Sequence, residues 1–197
     1  LGDQLNEDSA ALDGFDPSTD AVWMAEADAE AEQVWSAKAR IVMFFSAMRH
    51  FAEVLRCRGW TVHYHRLDEA HAAESLGSAL ASAARKLRPQ EVVCVEPGEH
   101  RLCDELTDAA GQGGAKLRWL PDRRFLCSHE QFDEHAAGRK QLRMEYFYRH
   151  MRRSHEVLLN EDGRPEGDRW NYDAENREVF GRSGPGDLPA PKTYRPD

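Results

Sequence analysis

Residues 91–120 read EVVCVEPGEHRLCDELTDAAGQGGAKLRWL, and this run decides the fold. Its two ends, Glu91 to Val95 and Lys116 to Leu120, are short and rich in β-branched or aromatic side chains, as strands are. Between them Leu102, Leu106 and Ala109 recur at helical spacing, from a start near Glu99 to the glycines at 111, 113 and 114. A connection of that length is too long for a hairpin. The two strands therefore run parallel, joined by a right-handed crossover.

The same alternation extends upstream. Ala21 to Ala25 (AVWMA) and Thr61 to Arg66 (TVHYHR) read as strands. Ile41, Phe44, Phe45, Met48, Ala52 and Leu55 form one helical stripe that Gly59 stops, and Leu76, Leu80, Ala83 and Leu87 form another that ends before Pro89. The expected fold is α/β: a doubly wound, parallel, five-stranded Rossmann-like sheet of order 3-2-1-4-5. Leu1-Gly2-Asp3-Gln4 reads as the end of a first, central strand that is truncated here, which leaves interior edges at Ala21 and Glu91 and makes the chain as it stands poorly soluble. Past Leu120 the alternation stops. Arg139 to Arg153 reads as an amphipathic helix, with Leu142, Tyr146 and Arg149 on one line, and residues 160–197 as a linker rich in Gly, Pro and Asp. The expected domains are 1–135, an α/β ligand-binding unit, and 136–197, the basic helix and linker.

Composition narrows the function. In 197 residues, 35 Asp and Glu outnumber 26 Lys and Arg for a net charge of -9, and no apolar run approaches the ~20 residues of a membrane helix. Nothing resembles a signal peptide, and Cys57, Cys94, Cys103 and Cys127 are scattered without a C-x-x-C pair, so the thiols are expected to be reduced in a cytoplasmic protein. Residues 1–37 hold ten acidic side chains and no Lys or Arg, whereas residues 139–153 hold six Lys or Arg against Glu145 alone. The first stretch repels nucleic acid; the second approaches phosphate or is a solvated helix face.

In doubly wound sheets ligands bind beyond the carboxyl ends of the strands. The candidates there are Glu26 and the acidic turn to Glu30, Leu67 and Asp68, Glu96-Pro97-Gly98, and Asp122. Most are acidic, and neither G-x-G-x-x-G nor G-x-x-x-x-G-K-[ST] occurs, so dinucleotides and nucleoside triphosphates are disfavoured. Carboxylates suit an uncharged ligand rich in N–H and hydroxyl donors. His63 and His65 share a strand face without an evident third metal ligand, and no serine occupies a G-x-S-x-G elbow. No metal site is expected, and hydrolase chemistry lacks its nucleophile turn.

Four segments carry a resemblance: Leu1 to Leu5 (LGDQL), Phe45 to Ala52 (FSAMRHFA), Gly138 to Arg149 (GRKQLRMEYFYR) and Trp170 to Arg177 (WNYDAENR), with Glu96 to Glu99 (EPGE) and Asp122 to Leu126 (DRRFL) beside them. In this order and spacing they closely resemble the amino-terminal part of the bacterial photolyase-related proteins, the iron-sulfur cryptochromes and (6-4) photolyases. The resemblance implies an α/β antenna domain that binds 6,7-dimethyl-8-ribityllumazine. It also implies a carboxyl-terminal helical domain, beyond this chain, that binds FAD, a 4Fe-4S cluster and damaged DNA. It implies a light-driven DNA repair enzyme, monomeric, of which this fragment alone is inactive; a cryptochrome-type blue-light photoreceptor and a stand-alone small-ligand-binding domain are the alternatives. Carried over, Gly2 and Asp3 approach the lumazine with backbone and carboxylate, Glu30 accepts hydrogen bonds from its ring or ribityl chain, and Phe44 lines the apolar side. Glu96, at a strand end, completes the expected cofactor-binding set. Two departures from the family pattern stand out: Ser36 and Ala37 replace a usual histidine pair, and Gly167-Asp168 replaces a glycine pair.

Overall fold

A computed structural model describes residues 2–27, 37–68, 75–173, 179–182 and 184–193. The chain divides into two compact units, Leu1–Leu126 and Cys127–Asp197. The first contains β1 (Ala21–Ala25), α1 (Lys38–Cys57), β2 (Thr61–His65), α2 (Leu76–Leu87), β3 (Glu91–Val95), α3 (His100–Gln112) and β4 (Lys116–Leu120). The strands form two parallel pairs, β1 with β2 and β3 with β4, in registers that start at Ala21↔Thr61 and Glu91↔Lys116. The architecture is thus α/β with parallel strands, as the crossover argument requires. The described strands make two separate two-stranded sheets: among the described residues no strand lies between β1 and β3 to join the pairs.

Alternation along β1 sends its side chains to two different cores. Val22 and Met24 pack with Met48 and Ala52 of α1, and with Val62 and Tyr64 of β2. Trp23 and Ala25 join the other core, made of Leu76, Ala79 and Leu80 of α2, Leu102, Leu106 and Ala110 of α3, and Val92, Leu117 and Trp119 of the second strand pair. Helices therefore cover both faces of β1. The helices start and stop for local reasons. Trp60 N–H donates to the Leu55 carbonyl (3.2 Å) and Gly59 N–H to that of Arg56 (2.9 Å), with Gly59 at φ 82°; this left-handed closure ends α1. Ser75 and Ser78 cap α2 reciprocally. Helices α2 and α3 approach so closely that a Cβ on Gly113 would lie 2.4 Å from the Ala84 Cβ.

The second unit holds α4 (His129–Ala136), capped reciprocally by Ser128 and Gln131, and α5 (Met144–Ser154). The amphipathic helix begins at Met144 and not at Arg139, so Leu142 precedes it and is exposed. Arg139, Lys140 and Arg143 would put three cations at a helix amino terminus, where the dipole opposes them. Arg139 serves the preceding helix: its Nε donates to the His135 carbonyl at the α4 end. Beyond α5 the described residues hold one bridge, Leu159 to Pro165, and a single short turn of helix at Glu166–Asp168.

Candidate functional site

The carboxyl ends of β1 and β3 converge on the segment 2–5. Leu5 packs against the core of Met24, Met48 and Ala52, and a Cβ on Gly2 would come within 3.0 Å of Met48 Sδ and 3.9 Å of Phe44 Cδ1. Gln4 Nε2 donates to the Glu96 carbonyl (2.9 Å), just past β3. Asp3 lies 3.8 Å from Arg124, which also donates to the Asp3 carbonyl and pairs with Asp122 at 2.7 Å. The Arg124 hydrogen bonds hold the Asp122 carboxyl below the ordinary carboxylate range against the opposing effect of burial. Of the expected cofactor-binding residues, Gly2, Asp3, Phe44 and Glu96 thus gather around one turn, with Phe44 half-buried and Asp3 exposed. Glu30 lies outside the described residues.

Glu26, the first residue after β1, has a different role from an open acceptor. It is 2% exposed, and all of its hydrogen-bonding capacity is in use. Arg49 donates from Nε to Oε1 and from Nη2 to Oε2, both at 2.7 Å; the Tyr64 hydroxyl donates to Oε1 at 2.7 Å and Leu67 N–H to Oε2 at 3.0 Å. Burial alone would raise this carboxyl, but the donors from Arg49, Leu67 and Tyr64 outweigh it and keep Glu26 below its ordinary value. The same contact, after burial, pushes the Tyr64 phenol up. Glu26 joins α1, β2 and the loop after β2 beneath the strand ends and has no lone pair left for a ligand. Arg49 and Tyr64, which complete this arrangement, were not among the expected site residues. Arg49 does fall on the inner helical line of Phe45, Met48 and Ala52, where a cation signals a buried partner.

To a neutral heterocycle with a polyhydroxyl chain the turn would offer two acceptors, the Asp3 and Asp122 carboxylates beside Arg124, with a close backbone and an aromatic face. The cleft beside it, lined by Gln4, Asn6, Ser9, Val95, Asp122 and Arg124 among others, measures about 10 Å³, the room of one water, and does not seat such a ligand. His63 and His65 belong to β2 as expected, and among the described residues no group of three or more His, Cys, Asp or Glu is placed to hold a metal ion. No helix among them is long and apolar enough to cross a membrane.

Comparison with known proteins adds an independent line. A family model described as deoxyribodipyrimidine photo-lyase-related protein matches residues 1–197. The chain is 48% identical over 178 residues to a (6-4) photolyase of Agrobacterium fabrum (strain C58 / ATCC 33970), covering 90% of this chain. It spans about a third (35%) of that relative's length.

Proposed function

The chain belongs to the deoxyribodipyrimidine photo-lyase-related protein family, and from that premise we propose that it is the amino-terminal antenna part of a light-driven DNA repair enzyme of the (6-4) photolyase type. The observation that carries the reading is the 48% identity to a protein named a (6-4) photolyase, together with the gathering of Gly2, Asp3, Phe44 and Glu96 at the strand ends where doubly wound folds bind ligands. The ligand of this site is 6,7-dimethyl-8-ribityllumazine; when bound, it supplies light absorption and passes excitation to FAD. FAD, the 4Fe-4S cluster and the damaged DNA belong to a helical domain beyond this chain.

The residues of this chain bind and orient. The Asp3 carboxylate accepts from ring N–H or ribityl hydroxyls, the Gly2 backbone permits close approach, and Phe44 with Met48 shields one face from water. Glu26, Arg49 and Tyr64 keep α1, and with it Phe44, in fixed relation to the strand ends. The sheet reading extends in the same way. Segment 2–5 packs on Met48 of α1 and donates from Gln4 to the Glu96 carbonyl just past β3, contacts that support a turn following a strand between β1 and β3. A five-stranded, Rossmann-like order, with that strand at the centre, accommodates both parallel pairs.

Titration of the chain with the lumazine, followed by its fluorescence, tests the antenna assignment. Saturable change in emission is expected, and a folded chain that leaves the emission unchanged overturns it. Light-dependent repair of a (6-4) photoproduct by the full-length protein tests the enzyme assignment separately. Lumazine binding without repair favours the photoreceptor alternative.

A further inference from the structure

In the second unit, α4 and α5 enclose a cleft of about 260 Å³ lined by His135, Arg139, Tyr146, Arg149, His150 and Arg153. Three guanidinium groups and two imidazoles line it without a carboxylate among them. Two of its buried polar atoms, His135 Nδ1 and Arg149 Nε, have no hydrogen-bond partner, and His135 is 7% exposed. Buried polar atoms of this kind are ordinarily satisfied, and here two of them belong to residues that line one cleft.

The cations are also held in place before any ligand arrives. Arg149 and Arg153 lie over the Trp170 ring at 5.7 and 4.8 Å, and Arg149 pairs with Glu145 on its own helix. His135 stacks near His150, with ring centroids 4.8 Å apart, and against Phe147. Arg139 is tied through Nε to the His135 carbonyl. Guanidinium groups ordered in this way lose little side-chain freedom on binding. Burial, and then the charges of Arg139 and His150, push His135 down from its ordinary value, so near neutral pH its ring adds a hydrogen bond and no charge.

We propose that this cleft is a phosphate-binding site. A carboxylate offers two oxygens in one plane, whereas the lining presents three guanidinium groups and two imidazoles from two helices and the segment that joins them. A tetrahedral phosphoryl group, with three oxygens facing different ways, matches that arrangement, and Arg is the side chain suited to it. The phosphoryl group can come from a nucleic-acid backbone or from a small phosphate monoester; both bring the same chemistry.

The test uses the whole 197-residue chain with ¹⁵N-labelled histidine. Inorganic phosphate is titrated at constant ionic strength with chloride as the balancing anion, and the imidazole resonances are followed. His135 and His150 are expected to shift together and saturably. Arg153→Gln, an exposed change, is expected to weaken the affinity roughly tenfold, the loss of one charge-assisted hydrogen bond. Arg139→Gln provides the second variant. Competition by a short DNA duplex assigns the source to a nucleic-acid backbone, and competition by glycerol phosphate alone assigns it to a monoester. Resonances that ignore phosphate, that respond equally to chloride or acetate, or that shift unchanged in both variants overturn the proposal.

Discussion

Arg49 and Glu26 differ in exposure, and that difference sets what each substitution does. The Glu26 side chain is fully buried and Arg49 is 37% exposed, so removing the arginine strands a carboxylate in the core. Arg49→Met is expected to destabilise the first unit by about 3 kcal/mol, and Glu26→Gln combined with Arg49→Met to recover much of the loss, as measured by urea unfolding. Equal losses in the single and double variants would show that the carboxylate is not the reason. The pH dependence follows from the direction of the shift. Because the folded pKa of Glu26 lies below the unfolded one, its contribution is complete above the ordinary glutamate value of 4.5 and is lost as pH falls through the depressed folded value. Arg49→Met should remove this acid sensitivity. At the turn, Asp3→Asn is expected to weaken lumazine binding by about 1 to 2 kcal/mol, read from the fluorescence titration, since the group is exposed and already near Arg124. Unchanged affinity would take Asp3 out of the site. Glu26 was legible in the sequence as a strand-end acid, but its saturation was not: the donors come from residues 23 and 38 positions away and from a backbone N–H, which no local pattern reveals.

The regular elements were the most legible part. Ala21–Ala25, Leu76–Leu87, Glu91–Val95 and Lys116–Leu120 all form where apolar periodicity and glycine or proline boundaries place them. Boundaries set by charge were less visible: the basic run before α5 satisfies helical periodicity but not the electrostatics of a helix start. Close packing between elements was invisible altogether, because it depends on which glycine meets which neighbour. Gly113 is the clearest case. Gly113→Ala places a methyl 2.4 Å from the Ala84 Cβ and is expected to lower stability by about 2 kcal/mol, with Ala84→Gly restoring part of it in the double variant. Gly59→Ala, where open space surrounds the position but φ is 82°, is expected to cost about 1 kcal/mol through backbone strain alone. Calorimetric melting of the three variants separates steric from conformational cost. A neutral Gly113→Ala would mean that α2 and α3 can move apart.

At the scale of the molecule, parallel pairing and helices on both faces of β1 agree with what periodicity dictates, whereas a continuous sheet does not form from the described strands. Periodicity assigns faces; it does not supply neighbours. Among the described residues β1 and β3 each have a partner on one side only, and backbone groups on the other side require pairing or water. Joining about six to eight apolar, β-branched residues ahead of Leu1 is expected to raise Tm and sharpen the melt by pairing with both edges. An unaltered melting curve would show that these edges do not take a central strand.

The two strand pairs also differ in the length of chain each must close. Register partners are 40 residues apart in β1–β2, with α1 between them, and 25 apart in β3–β4, with α3 between them. Loop closure favours the shorter by about 0.4 kcal/mol before any side chain is counted. The consequence is an order of assembly. In pulse-labelled hydrogen exchange during refolding, the amides of Val92 to Val95 and Leu117 to Leu120 should gain protection before those of Val22 to Ala25, so that the carboxyl-terminal half of this unit serves as the nucleus on which the half bearing Glu26 and Arg49 docks.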